Sequence, residues 1–311
     1  MRRYEFPFHL SQVIFIHNSE HCPTPPTTIV EFIAWCKGAG AGKFVYSSDY
    51  TGTAFVKTVF YHYAGLASAG GTYEDFLVPF DQALFDSVEA DVWAELNALE
   101  PYVLRYYYSP STPITRNSSA PPPTHRNPPP LRYLYHPDAA GSYPHSEAAP
   151  YYPADHEDVR ALVADETIWM DVSYNIAEAS AQIQLREAND QDGWPDTMRP
   201  FLLSPGSIAN TNFMAIPVNA PHAAAALVAV NHIGSPGEMF KRNTPEQWGA
   251  LQAFDTTTET MKDWDLAFDY VETHHATPTV EALQAARVRE LSPEWTTAIE
   301  ASWNANVANS R

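Results

Sequence analysis

Short apolar runs of strand length alternate with amphipathic stretches of helical period, and this most constrains what the chain can fold into. Residues 43–56, KFVYSSDYTGTAFV, show the pattern most clearly. Phe44, Val45 and Tyr46 make the kind of run that sits in a strand. Ser47, Ser48 and Asp49 break it, and Thr51, Gly52 and Thr53 open a helix carrying Phe55, Val56, Val59, Phe60 and Tyr63. A strand that feeds a helix through small residues leaves backbone N–H groups at the positive end of the helix dipole, a seat for an electron-rich ligand group. The alternative is an ordinary capped helix, with Ser48, Asp49, Thr51 or Thr53 turned back on its own backbone.

The alternation recurs along the chain. Residues 10–17 read as a strand, and Ile29, Phe32, Ile33 and Trp35 mark a helix stopped by Gly38 and Gly40. Residues 72–84 and 89–99 read as helical, the second with Val92, Trp93, Leu96 and Leu99 on one stripe. Further on, helices are expected at 155–164 and 175–187, and strands at 167–174, 201–203 and 212–218. The remaining helices fall at 221–233, from Ser235, and at 245–254, 279–289 and 293–307. Such a series implies α/β layering with mostly parallel sheets.

Between residues 109 and 153 the pattern stops. Twelve of the 27 prolines lie there, including two PPP runs. This composition buries too little surface to offset its ordering entropy, so the stretch is expected to be a disordered or polyproline-like insert.

The 311 residues suit one large domain or two lobes. A net charge of −19 argues against nucleic acid, whose phosphates require a basic face. No run approaches the ~20 apolar residues needed to span a bilayer, so no membrane insertion is expected. Glu5, Pro7, His9, Ser11 and Gln12 interrupt any signal-peptide core at the start. Cys22 and Cys36 allow at most one disulfide and make no zinc set. His274 and His275 are adjacent, which is the wrong spacing for two metal ligands on one helical face. There is no GxSxG, HExxH or Walker loop, and GAGAGK at 38–43 follows a helix rather than a strand, so an enzyme is not expected.

Several stretches taken in order carry a resemblance: VIFIHNSE, PPTTIVEFIAWCK, FVYSSDYTGTAFV, ALEPYV, DVSYN and the long block SPGSIANTNFMAIPVNAPHAAAALVAVNHIGSP. Together they resemble the extracellular solute-binding proteins of bacterial ABC importers, of the type II periplasmic-binding-protein-like fold, nearest the branch of thiamine-, polyamine- and iron-binding members. The likeness covers roughly residues 7–108 and 150–311. It implies two lobes with hinge crossovers that close over a small polar ligand. Residues 1–188 would form lobe two, with the insert inside it, and 189–311 the hinge return and the C-terminal part of lobe one. The first part of lobe one has no counterpart in the sequence, which implies an incomplete chain or a non-binding remnant. The resemblance further implies a monomer working with an ABC-transporter permease in the periplasm or outside the cell, with no cofactor.

By position in that likeness, Thr51, Gly52 and Thr53 would contact ligand, with Tyr46 and Tyr50 flanking the turn. Trp169, Asp171, Ser173, Tyr174 and Asn175 would lie on the strand entering the second hinge. Asp171, set between apolar neighbours, calls for a partner, either a cationic ligand or a group of the protein. Gly206, Ser207, Asn210 and Asn212 would precede the return crossing. Paired tyrosines hold ferric ion in iron-binding relatives. The runs at 106–108 and 151–152 flank the insert rather than a strand, so no metal is expected.

Overall fold

A computed structural model describes residues 5–68, 70–104, 152–189, 193–204, 206–244, 247, 249 and 276–308. The insert, the tyrosines at 106–108 and 151, the helix expected at 245–254 and the His274–His275 pair all lie outside these, apart from residues 152, 153, 247 and 249. In chain order the elements are β1 (Glu5–Gln12), β2 (Ile14–Asn18), α1 (Ile29–Lys37), α2 (Tyr50–Ala67), α3 (Gln82–Asp86), α4 (Glu89–Leu99) and α5 (His156–Ala164). They continue with β3 (Met170–Ser173), α6 (Glu178–Asn189), β4 (Met198–Phe201), β5 (Ser207–Ala215), α7 (Ala223–Ile233) and α8 (Pro236–Asn243). The series closes with α9 (Val280–Ala286), β6 (Arg287–Arg289) and α10 (Pro293–Trp303). The chain is α/β, as the alternation implied.

Two compact units form, each from two stretches: Met1–Thr28 with Val172–Glu290, and Ile29–Asp171 with Leu291–Arg311. The division expected at 188/189 falls inside the first unit. A single cut there would separate β1 from β5, which pair along their whole length.

The first unit holds a sheet of order β1-β5-β6. β1 runs antiparallel to β5, from Glu5 opposite Ala215 to Gln12 opposite Ala209, with an irregularity between Pro7 and His9. Pro7 has no N–H for the ladder, and an edge strand with a bulge accommodates that. A second sheet has the order β3-β2-β4, with β2 antiparallel to β4. The chain passes from one unit to the other within β3, between Asp171 and Val172. The strand expected at 10–17 is thus two strands. They part at Val13, whose N–H donates to the Ile208 carbonyl at 2.8 Å. The mostly parallel arrangement is corrected as well: β1–β5 and β2–β4 are antiparallel, and β5–β6 is parallel. Alternation reports which elements follow one another, whereas these ladders join stretches far apart in the chain.

The second unit is built around aromatic side chains. Phe32, Phe44, Tyr46 and Phe55 cluster with ring centroids 4.8–6.2 Å apart along the contacts Phe32–Phe44, Phe44–Tyr46, Phe44–Phe55 and Tyr46–Phe55. Phe60, Phe76 and Phe85 surround the fully buried Trp295 of α10, whose indole N–H donates to the Val78 carbonyl at 2.9 Å. The run at 44–46 is buried but forms no strand. The Lys43 carbonyl accepts from Trp169 N–H and the Phe44 carbonyl from Leu104 N–H, each at 2.8 Å, without a continuous ladder. The segment expected as a helix or a helical turn at 72–84 is a 3₁₀ turn, Tyr73–Phe76, followed by α3, whose start is capped by Asp81.

α7 is apolar except for Asn231 and His232, yet none of its residues is buried; Leu227 is 54 % and Val228 71 % exposed. Leu227→Lys and Val228→Lys are therefore expected to change stability by less than about 0.5 kcal/mol in denaturant titrations. A loss of 2 kcal/mol or more would mean that something covers this face. No helix among the described residues is long and apolar enough to cross a membrane.

Candidate functional site

Asp49 is the N-cap of α2. Its Oδ1 accepts from Thr51 N–H at 2.9 Å, Gly52 N–H at 3.2 Å and the Ser47 hydroxyl at 2.6 Å. Thr53 N–H and its hydroxyl both donate to the Asp49 carbonyl. The other carboxylate oxygen accepts from His156 N–H at 3.0 Å, at the start of α5. One carboxylate thus serves the positive ends of two helices. The amides expected to face a ligand are already donated to Asp49, so the capped-helix alternative is the one found. Gly52 is required for packing: a Cβ there would lie 1.6 Å from the Ser47 carbonyl oxygen. Tyr50 is 52 % exposed, with Lys57 Nζ 5.0 Å from its ring centre.

Asp171 is fully buried, and its partner is a protein group. His156 Nε2 lies 3.0 and 2.9 Å from its two carboxylate oxygens. Of the two partners the sequence left open, a protein group is the one found, and a cation is not needed to satisfy this carboxylate. Tyr46 is also interior. Its hydroxyl donates to Glu100 at 3.3 Å, the Tyr152 hydroxyl donates to the same carboxylate, and the Trp303 indole N–H donates to Tyr46 at 3.4 Å. Burial, followed by the neighbouring Glu100 carboxyl group, holds the Tyr46 phenol well above its ordinary range, so it is a neutral donor. Trp169 is half-buried, with Lys43 Nζ 4.5 Å over its ring.

The residues expected around the hinge and return crossing behave differently. In the first unit an open cleft of about 370 Å³ is lined by His9, Leu10 and Ser11 of β1, by Tyr174, Asn175 and Ile176 between β3 and α6, and by Gln247 and Gly249. Such a volume lies near the lower end of small-molecule sites, about 300–1,000 Å³. Asn212 on β5 stands behind this wall, its Nδ2 2.9 Å from His9 Nε2 and 3.4 Å from the Ser11 hydroxyl. Ser173 fixes the turn: its hydroxyl accepts from Asn175 N–H at 3.0 Å and donates to the buried Glu178 at 3.3 Å. Asn175 Oδ1 in turn accepts from Ala177 N–H at 3.0 Å. Gly249 closes this side with φ +56°. A Cβ there would meet Ala177 Cβ at 2.2 Å and Asn175 Oδ1 at 3.0 Å, so only glycine fits.

Three of the expected residues, Tyr174, Asn175 and Asn212, thus come together, with Ser173 in support. Ser207 is spent on the Val13 carbonyl and Asn210 on Glu290. His9, Ser11, Gln247 and Gly249 were missed. The alternation of His9 and Ser11, two apart on one strand face, was a legible signal for the first two.

Burial, and then the nearby Arg242 charge, push His9 below its ordinary 6.5; burial does the same for His17, whose Nδ1 lies 2.9 Å from the Cys22 carbonyl. A base held low in the folded state stays neutral there, while the unfolded chain takes up the proton more readily. Stability is therefore expected to decline as pH falls below 6.5. His17→Asn, which keeps an N–H for Cys22, should flatten that slope in denaturant titrations at pH 7.5 and 5.5.

No family model matches the chain. It is 25% identical over 257 residues to Protein YnjB of Escherichia coli (strain K12), covering 81% of this chain and 51% of the relative. The chain therefore spans about half the length of the curated relative it matches. Among solved structures it is similar to the spermidine/putrescine ABC transporter substrate-binding protein PotD from Streptococcus pneumoniae, with TM-score 0.50 and 12% identity over 97% of this chain and 68% of that one. It is likewise similar to the maltose/maltodextrin-binding domain MalE from Bdellovibrio bacteriovorus, with TM-score 0.52 and 12% identity over 99% and 68%. The fold is that of ABC-transporter substrate-binding proteins. At these identities the likeness speaks for the fold alone.

Proposed function

We propose that this chain is a solute-binding module that captures a small polar organic ligand in the first-unit cleft and delivers it, outside the cytoplasm, to an ABC-transporter permease. The observation that carries the reading is the convergence of His9, Ser11, Tyr174 and Asn175 on one recess, backed by Asn212, within this fold. The recess offers a few oriented polar groups on a largely apolar surface, the usual make-up of a ligand site. Tyr174 and Asn175 keep the ligand role, and Asn212 positions His9 and Ser11 from behind. Tyr46, Thr51, Gly52, Thr53, Asp171, Ser207 and Asn210 take structural roles, a reading their partners described above support. The protein acts as a monomer.

Thermal-shift and calorimetric titration against thiamine, spermidine, putrescine, small carboxylates and neutral sugars tests the reading. A ligand at 100 times its Kd should stabilise the fold by about 2.7 kcal/mol. A well-folded sample that responds to none of them contradicts capture. That outcome favours the second reading, a ligandless scaffold of the same ancestry, which the self-capped α2 and the uncovered α7 also suit.

A further inference from the structure

We infer that the first-unit cleft takes an uncharged, hydroxyl-rich ligand of the sugar or polyol class rather than an organic cation; this rests on the solute-binding reading above. The described lining contains no carboxylate and no ammonium or guanidinium group. It offers an imidazole, an aliphatic hydroxyl, a phenol and the two carboxamides of Asn175 and Gln247. The hydroxyls and carboxamides both donate and accept, which matches ligand hydroxyls that do the same.

The imidazole is neutral on geometric grounds as well. Asn212 Nδ2 can only donate, so at 2.9 Å from His9 Nε2 it requires that nitrogen to be unprotonated. The depressed basicity of His9 agrees. An ammonium group entering this recess would lose hydration with no anion in the described lining to replace it, a large cost. An anion gains little more. Arg242 does not line the cleft, and the Ala177 amide at the approach to α6 is taken by Asn175 Oδ1.

The test is calorimetric titration of the full chain with raffinose, maltotriose and glucose, against spermidine, thiamine and succinate, at pH 7.5. At least one neutral sugar should bind and the charged probes should not. Gln247→Ala should weaken that binding at least tenfold without changing the melting temperature, because the Gln247 side chain is exposed. Gln247→Glu should weaken it similarly and bring in measurable spermidine binding. If spermidine, thiamine or succinate binds the unaltered chain and the sugars do not, the ligand class is wrong while the solute-binding reading stands. If no probe of any class binds to folded protein, the solute-binding reading itself falls and takes the inference with it.

Discussion

Replacing His156 by alanine is expected to cost about 3–5 kcal/mol of stability, the usual penalty for leaving one member of a buried pair behind. Asp171 is fully buried and both its oxygens face His156 Nε2 at about 3 Å. Without the imidazole the fully buried carboxyl group loses the donor that both its oxygens face. His156→Gln returns a donor at roughly the same reach and should recover part of the loss. The main-chain N–H of residue 156 still reaches Asp49 in both variants, so the α5 start is retained and the difference isolates the side chain. Urea titration of the three proteins checks this. A loss below about 1 kcal/mol in His156→Ala would mean that Asp171 is satisfied by something else, a bound cation included.

Gly52→Ala is the second large effect. The added methyl group would sit 1.6 Å from the Ser47 carbonyl oxygen and 2.8 Å from its backbone nitrogen, and neither can move without displacing the start of α2. The expected result is a loss of 3 kcal/mol or more, or failure to accumulate folded protein. A glycine kept instead for the approach of a ligand would give the opposite pattern, normal stability with weakened binding. Circular dichroism melts and solubility on expression separate the two.

These two sites show how far the sequence was legible. The helix beginning near Thr51 was readable from Phe55, Val56, Val59 and Phe60, because amphipathic period is a local property. Whether its amides pointed at a ligand or at Asp49 was not, since both outcomes use the same small polar residues. The choice depends on His156, more than a hundred positions away. Asp171 was correctly marked as needing a partner, but burial reveals the need without naming who meets it. The strand that leads into Tyr174 and Asn175 was legible by alternation. The cleft around them was not, because His9 and Ser11 of β1, Gln247 and Gly249 all lie far from them in sequence. Sheet direction failed for the same reason: β5 neighbours β1 and β6, both remote in sequence.

The central claim is that a ligand is held by the first-unit cleft and not by the start of α2. Hydrogen–deuterium exchange of the full chain with and without a saturating neutral sugar tests it most directly. The account predicts slowed exchange at residues 9–11, 174–176 and 247–249, with residues 49–53 unchanged because Asp49 already occupies their amides. Protection confined to 49–53, with 9–11 and 174–176 unaffected, would contradict it.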